Sequence, residues 1–231
     1  MHNREKIPLT YGQKLIRRRI LEISYENNLS HIGSCLSAAD IIYAIYKRKK
    51  PDERFILSSG HAGVALYAVL EERGIISAAD IKKYHVHPDR DARKGIDLST
   101  GSLGQGLPVA LGMALANRNK NVYCLISDGE CAEGSIWEAL RVGLEQQLDN
   151  LKIAVNANGW GAYGPIYSSL LLKRIKGFGY KVAAINGHCI NEILKVLAKK
   201  ISGQPTLIFA RTKVNQLPFL KGQDAHYYVM N

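Results

Sequence analysis

Two apolar segments of the sequence end in side chains that carry oxygen. Residues 121–127 (NVYCLIS) lead into Asp128 and Gly129, and residues 151–156 (LKIAVN) lead towards Asn158, with a helical pattern between them. A carboxylate and an amide at the ends of two neighbouring strands are suited to a hard divalent cation such as Mg²⁺. That ion takes oxygen ligands and shares its coordination sphere with phosphates and water.

Ordinary turns are the alternative explanation for these residues. The dipeptides Asp128-Gly129 and Asn158-Gly159 are of a type common in tight turns that bind nothing. For either dipeptide alone the turn is the better interpretation. For the pair, one crossover connection apart, a metal site and two turns are equally favoured.

A glycine-rich loop and several histidines favour a binding site. Residues 100–106 (TGSLGQG) run into a helical segment, and such a loop lets backbone groups touch a bound ligand. His31, His61, His87 and His226 stand near the ends of predicted elements, several of them among small residues. One histidine beside glycine is more often structural, but several indicate polar groups that line a pocket.

The elements that must position these residues alternate along the chain. Short apolar runs predict buried strands at residues 54–58, 121–127, 151–156, 180–185 and 205–211. Helical spacing predicts helices at residues 11–25, 105–117, 134–147 and 191–201. Two further helices are predicted to begin at capping-box patterns, at residues 37–40 (SAAD) and 77–80 (SAAD).

This alternation predicts a doubly wound α/β fold, with a mostly parallel sheet flanked by helices. We expect one domain over residues 1–213 and a C-terminal tail over residues 214–231, where the periodicity is lost. In open parallel sheets, ligands bind beyond the carboxyl ends of the strands, which is where Asp128 and Asn158 stand. The fold class alone names no activity.

Composition narrows the classes of function. The chain has 231 residues, of which 46% are hydrophobic, and no apolar run approaches the length of a membrane span. The N-terminus MHNREKIPLTYGQ lacks the apolar region of a signal peptide, and the four scattered cysteines favour a reducing compartment. We therefore expect a cytoplasmic protein. The net charge of +11 is spread without interleaved aromatic residues, which favours anionic small ligands over nucleic acid.

Several segments resemble the N-terminal, diphosphate-binding part of transketolase, especially the forms that are split into two subunits. They are SHIGSCLSAADI, ERFILSSGHAGVALYAVL, the HP of VHPD, GIDLSTGSLGQGLPVALGMALA, SDGECAEGSIWEAL and LDNLKIAVNANG, in the order of the family. The D-G-E motif with E-G-x-x-W-E-A, followed by N-L-x-I-x-x-x-N, forms a thiamine-diphosphate signature. The resemblance implies transfer of a two-carbon ketol unit between sugars.

The resemblance also implies the contacts of a metal ion and of thiamine diphosphate. Asp128, the side chain of Asn158 and the carbonyl of Trp160 are expected to bind Mg²⁺, for which Ca²⁺ or Mn²⁺ can substitute. Gly129 and His61 are expected to contact the diphosphate of the cofactor.

Further cofactor contacts are expected from other segments. Gly101 and Leu103 would lie against the rings of the cofactor. Glu130, in the same motif as Asp128, is also expected among the cofactor-binding residues. His226 matches a histidine that the family places in its tail, although the alignment there is loose.

His31, His61 and His87 are the catalytic candidates that the resemblance implies. His31 and His87 would meet the hydroxyl groups of the sugar. Histidines beside the reacting carbon can donate to a carbonyl or hydroxyl group and move protons while a C–C bond breaks. The carbanion chemistry itself belongs to the cofactor.

A second polypeptide is expected because the family activates thiamine with a glutamate of a pyrimidine-binding domain. The residues after Lys213 are too few for such a domain. The resemblance therefore implies one subunit of a split enzyme, inactive alone, that joins a C-terminal transketolase subunit in an α2β2 assembly. The substrates would be sugars or sugar phosphates.

The tail departs from the pattern of the family. Residues 212–216 read TKVNQ where the family usually has T-K-G-K-G. Losing two glycines is expected to change how the tail closes over the cofactor. This departure fits a specialised sugar pathway as well as the pentose phosphate pathway.

Two alternatives stay open. The first is a subunit of another thiamine enzyme, of the deoxyxylulose-phosphate-synthase or dehydrogenase type. The second is a paralogue without catalysis that keeps the fold as a binding subunit. The presence of Asp128 and Asn158 together with His31, His61 and His87 argues against such a decayed protein.

Overall fold

The centre of the molecule is one sheet of five parallel strands. The computed structural model describes residues 8–230, and residues 1–7 and Asn231 lie outside the described residues. Part of the N-terminal segment that is expected to lack a signal peptide therefore lies outside the described residues. The strands are β1 (Arg54–Leu57), β2 (Val122–Ser127), β3 (Leu151–Ala157), β6 (Val182–Asn186) and β7 (Thr206–Arg211). Their order is β1-β2-β3-β7-β6, with every neighbouring pair parallel. All five predicted strands are confirmed, with small shifts at their ends.

Helices cover both faces of the sheet. They are α1 (Tyr11–Glu26), α2 (Ile32–Arg48), α3 (Gly63–Glu72), α4 (Ala78–Ile81), α5 (Gly106–Ala116), α6 (Gly134–Glu145), α7 (Ser168–Gly177), α8 (Ile190–Leu197) and α9 (Asp224–Tyr227). A small hairpin of β4 (Trp160–Gly161) and β5 (Gly164–Pro165) follows β3. Buried residues of α1, α2, α3 and α8 form the core on one face, and those of α5, α6 and α7 form it on the other. The predicted doubly wound α/β fold is confirmed.

Burial on both faces explains why the strands are apolar without alternation. Leu57 and Tyr123 belong to the core on the α2 face, whereas their neighbours Ile56 and Cys124 belong to the core on the α5 face. Successive side chains of a strand point to opposite faces, so a sheet covered twice needs apolar residues at every position. Within residues 8–230, no helix combines the length and the apolar character that crossing a bilayer requires.

The prediction that a helix begins at residues 37–40 is wrong. The helix α2 begins at Ile32, and its residues are buried from there to Tyr46. Ser37 and Asp40 therefore lie inside the helix, where they are hydrogen-bonded to other elements instead of capping an end. A buried polar pair inside a helix resembles a capping box in sequence, and only its surroundings distinguish the two.

The other helix predictions hold, with three omissions. The capping box of Ser77 and Asp80 is confirmed at the start of α4. The helices α3 and α7 were not predicted, nor was the short α9, which lies within the predicted tail. The first eight residues of α3 are all buried, so its sequence GVALYAVL has no polar face and lacks the periodicity that reveals an amphipathic helix.

The loops that follow β1, β2 and β3 meet at one edge of the sheet, because parallel strands in register end together. Ser127 of β2 pairs with Asn156 of β3, so Asp128 and Asn158 follow side by side. The C-terminal segment also lies at this edge, where Val214 and Ala225 are buried against Gly33 of α2.

Two glycines of α5 give a test of this packing. A Cβ on Gly106 would lie 2.5 Å from the Cα of Ser58, whereas a Cβ on Gly112 would meet no atom within 4 Å. Gly112→Ala is expected to raise the free energy of unfolding by about 0.5–1 kcal/mol, because alanine is the better helix former. Gly106→Ala is expected to lower it by about 1–3 kcal/mol through overpacking.

Urea denaturation of the two variants measures both changes in the free energy of unfolding, which are expected to have opposite signs within one helix. Equal effects of the two substitutions would contradict the close approach of α5 to the end of β1.

Candidate active site

The carboxylate of Asp128 joins the ends of β2 and β3. Its side chain is buried, and Oδ2 accepts a hydrogen bond of 2.7 Å from the backbone N–H of Gly159. Oδ1 accepts a second bond, of 3.1 Å, from the N–H of Gly129. The structure thus brings together the two strand ends that the sequence analysis singled out.

Asn158 is held at the same edge by α2. Its Nδ2 donates to Ser37 Oγ at 3.2 Å, and Asn156 Nδ2 donates to the same oxygen at 2.9 Å. The Oδ1 of Asn158 accepts from the backbone N–H of Trp160 at 2.9 Å. Because the amide group is fixed by donor and acceptor bonds, its carbonyl oxygen has one defined direction, with one lone pair left free.

The surroundings of Asp128 fit a bound cation. Burial raises the pKa of Asp128 to about 7, against the opposing effect of hydrogen bonds from the backbone of Gly159 and Gly129. None of the ion pairs in the described part of the chain includes this carboxylate. A buried carboxylate without a cationic partner is costly, and a metal ion removes that cost.

The oxygen donors present suit Mg²⁺ that shares its coordination sphere with non-protein ligands. Residues 8–230 contain no cluster of three or more His, Cys, Asp or Glu side chains placed to hold a metal. One carboxylate, one amide oxygen and one backbone carbonyl would instead leave half of an octahedral sphere to water or phosphate, as Mg²⁺ commonly requires. There is room for them, because a Cβ on Gly129 would have no atom closer than 3.7 Å.

Glu130 faces donors of the protein. Its carboxylate is fully buried and accepts from Ser58 Oγ at 2.5 Å, from the N–H of Gly104 at 3.0 Å and from the N–H of Ser127 at 2.9 Å. Burial raises its pKa, and these hydrogen bonds oppose that shift. The structure therefore places this predicted cofactor-binding residue where it ties the ends of β1 and β2 to the glycine-rich loop.

The glycine-rich loop lies directly against the first strand end and against His87. A Cβ on Gly60 would lie 2.6 Å from the backbone of Thr100, and a Cβ on Gly101 would lie 3.1 Å from the ring of His87. Leu103, at the exposed side of the loop, keeps 37% of its surface accessible. The predicted contacts Gly101 and Leu103 thus border the same edge of the sheet as Asp128.

Four predicted histidines form one cluster. The ring centroid of His31 lies 5.9 Å from that of His61, 6.0 Å from that of His87 and 5.9 Å from that of His226. Nδ1 of His31 and Nε2 of His226 are buried without a hydrogen-bond partner in residues 8–230. Unpartnered polar atoms on converging rings indicate that the cluster is built to face a polar ligand.

Burial favours the neutral form of three of these histidines, because it lowers the pKa of each. Burial, with smaller contributions from His226 and His87, lowers the pKa of His31 to about 4. Burial and the neighbouring histidines lower the pKa of His61 to about 3, and burial also lowers the pKa of His226. Near pH 7, His31, His61 and His226 therefore each offer one N–H donor and one nitrogen acceptor.

The tail is joined to the cluster through the backbone of His31. This residue has a left-handed conformation, with φ of 64°, and its N–H donates to the carbonyl oxygen of His226 at 2.8 Å. Nδ1 of His226 lies 3.2 Å from Ser34 Oγ. Ser34, which the sequence analysis did not single out, and Ser37, which it interpreted as a helix cap, both contact site residues.

These features define a doubly wound α/β domain with a polar ligand site at the carboxyl ends of its strands. The family model described as "Transketolase, thiamine diphosphate binding domain" matches residues 14–226. The chain belongs to the transketolase family, as the thiamine-diphosphate-binding domain of that family.

Named relatives agree with this assignment. The chain is 36% identical to transketolase from Pongo abelii over 207 residues, which cover 79% of the chain and 33% of that protein. It is 32% identical to the 6-deoxy-6-sulfo-D-fructose transketolase subunit SqwG from Clostridium sp. (strain MSTE9), with 96% of the chain and 88% of that subunit covered. A solved transketolase variant from Pichia stipitis shares the fold, with a TM-score of 0.81, 23% identity, and coverage of 94% of this chain and 38% of that chain.

The coverage differs between these relatives. The chain spans about a third of the length of full-size transketolases such as the Pongo abelii protein, but most of the length of SqwG.

The depressed pKa of His61 predicts a specific acid sensitivity. Between its ordinary value of 6.5 and about 3, the unfolded chain binds a proton at His61 that the folded chain does not. This residue therefore makes the free energy of unfolding fall as the pH falls through that window. His61→Gln is expected to reduce the decrease measured by urea denaturation between pH 7 and pH 4.

His85→Gln, at an exposed histidine, is the matched control and is expected to retain the native decrease. A pH dependence of His61→Gln identical to that of the native chain would rule out a lowered pKa of His61 in the folded chain.

Proposed function

We propose that this chain is the diphosphate-binding subunit of a thiamine-diphosphate- and Mg²⁺-dependent transketolase, which transfers a two-carbon ketol unit between sugars. The observation that carries the proposal is the juxtaposition of a buried Asp128 carboxylate, bonded to the residue after Asn158, with four converging histidines. Membership of the family makes thiamine diphosphate the ligand that suits this edge of the sheet.

Asp128, the amide oxygen of Asn158 and the carbonyl oxygen of Trp160 would hold the metal ion. The ion, for which Ca²⁺ or Mn²⁺ can stand in, neutralises the negative charge of a diphosphate. Gly129 offers space for the phosphate oxygens, and His61 offers an N–H donor from a ring that burial keeps neutral. Glu130 supports these contacts by holding the neighbouring loops together.

The histidine cluster would bind and orient the sugar. When bound, thiamine diphosphate supplies the stabilisation of a carbanion. His31 and His87 would hydrogen-bond the hydroxyl and carbonyl oxygens of the sugar, and a neutral imidazole can hold or release a proton there. Gly101 and Leu103 would form the apolar wall beside the rings of the cofactor, with His226 closing the cluster from the tail.

A separate pyrimidine-binding subunit would complete the active site. The comparison with SqwG supports this part of the proposal, because that relative is named a subunit and the chain covers 88% of it. A heterotetramer of the α2β2 type would place the cofactor between two different polypeptides. The exposed side chains of Leu103 and His87 leave one side of the site open to such a partner.

The proposed function also concerns which anionic sugar is the substrate. The name of SqwG refers to a 6-deoxy-6-sulfo-D-fructose. Assays for this chain should therefore include a ketose with a sulfonate at C6 beside the ordinary phosphorylated ketoses, since both are anionic sugars.

Loss of the metal ligand gives a direct test of cofactor binding. Asp128→Ala is expected to weaken Mg²⁺-dependent binding of thiamine diphosphate more than the roughly 10–100-fold that loss of an outer-shell partner costs. Calorimetry with the chain and the product of the adjacent open reading frame measures this change. Asp52→Ala, at an exposed aspartate before β1, is the matched control and should bind as the native chain does.

Unchanged Mg²⁺-dependent affinity in Asp128→Ala would reject the metal site. Absence of any binding by the native pair would favour a subunit without catalysis.

The split of the enzyme is tested separately by activity. The isolated chain is expected to show no ketol transfer, and the reconstituted pair is expected to show it, because activation of thiamine needs the glutamate of the partner domain. Ketol transfer by the purified chain alone would refute the requirement for a second subunit.

A further inference from the structure

The segment that follows β7 is fastened to a buried ion pair. Asp40 of α2 is 1% exposed and receives two hydrogen bonds from the guanidinium of Arg17, of 2.8 and 2.6 Å. Burial alone would raise the pKa of Asp40, but the bonds from Arg17 and His188 hold it below its usual value. A charged carboxylate therefore stands at the centre of this network and keeps Arg17 in one orientation.

Gln216 links the tail to that ion pair. Its Oε1 accepts from Arg17 Nε at 2.9 Å, and its Nε2 donates to the carbonyl oxygens of Leu36 and Lys213, each at 2.9 Å. One side chain thus connects the tail to α1, to α2 and to its own backbone three residues earlier. A hydrogen bond from a charged donor is stronger than one between neutral groups.

His188 holds the start of the same segment. Its Nε2 accepts from the backbone N–H of Lys213 at 2.9 Å, and its Nδ1 lies 2.8 Å from Asp40 Oδ2. Since a backbone N–H only donates, Nε2 carries no proton, and Nδ1 is the donor to Asp40. The ring joins the buried carboxylate to the tail backbone.

Apolar contacts also hold the tail against α2, near the histidine cluster. Val214 is 2% exposed, and its Cγ2 lies 2.6 Å from the position that a Cβ on Gly33 would take. The Cβ of Ala225 lies 2.7 Å from the same position. The first turn of α2 therefore contacts both the start of the tail and the residue before His226.

We propose that Gln216 is a positioning residue, which together with Val214 clamps the tail onto α2 and thereby holds His226 in the histidine cluster. Residues 217–223 contain no helix or strand, so their order depends on side-chain anchors. These anchors are the contacts at the two ends of the segment and Leu220, which is buried in the core on the α2 face. Val214 and Gln216 stand at the two positions where the family usually has glycine, which has no side chain to provide such anchors. The consequence for sugar binding rests on the proposed function, whereas the clamp itself does not.

Chemical modification of His226 tests the clamp in the full chain without cofactor or partner. Diethyl pyrocarbonate modifies accessible histidines, and trypsin cleavage after Lys221 releases a peptide in which His226 is the single histidine. His226 is 6% exposed and is expected to react slowly in the native chain. In Gln216→Ala its rate is expected to rise about tenfold, because loss of the charged hydrogen bond opens the tail more often.

Two further variants separate the clamp from general destabilisation. Gln223→Ala removes an exposed glutamine of the same tail, which forms no side-chain hydrogen bond in residues 8–230, and should leave the rate unchanged. Gln216→Glu keeps an oxygen acceptor opposite Arg17 but loses the donation to the carbonyl oxygens of Leu36 and Lys213, so its modification rate should lie between those of the native chain and Gln216→Ala. Hydrogen exchange of β3 should be the same in all variants, since the clamp does not reach the central sheet.

An unchanged modification rate of His226 in Gln216→Ala would overturn the clamp. Equal rates in Gln216→Ala and Gln216→Glu would also overturn it, because the link to Arg17 would then have no effect. In the reconstituted enzyme, Gln216→Ala is expected to raise the KM for the ketose more than it lowers kcat. If the modification rates behave as expected and no ketol transfer occurs at all, the proposed function fails and the clamp stands.

Discussion

The hydrogen bond between the Asp128 carboxylate and the backbone of Gly159 is the contact on which the rest of the site depends. It joins the ends of two adjacent parallel strands, one of which carries the acid and the other the amide of Asn158. The carboxylate of Glu130 connects this pair of strand ends to β1 and to the glycine-rich loop. Because these bonds link three separate loops, a change at one of them alters the position of all.

The site is assembled at a cost in stability. Asp128 is a buried carboxylate without a cation among the described residues, and two buried nitrogen atoms of the histidine cluster have no partner there. Each such group disfavours folding relative to an apolar replacement. The two apolar cores on the faces of the sheet supply the stability that offsets this cost. A bound metal ion and diphosphate would satisfy the same groups, so binding and stability are linked.

The buried helix α2 connects the site to the tail. His31 directly precedes its first turn, which contacts Val214 and Ala225, and Ser37 further along the helix holds Asn158. Such a helix cannot be identified by an amphipathic pattern, because every face of it is covered by other elements. The same reasoning applies to α3, whose apolar sequence shows that it is buried but not that it is a helix.

The sequence by itself determined the strands, the crossover helices α5, α6 and α8, and the residues at the strand ends. Those features depend on local apolar runs and on the rule that parallel strands end at one edge. Only the tertiary structure decided that Ser37 and Asp40 are buried partners instead of caps, that Glu130 faces protein donors, and that the tail returns to place His226 beside His31. These outcomes depend on contacts between residues far apart in the chain, and no local pattern of residue types specifies them.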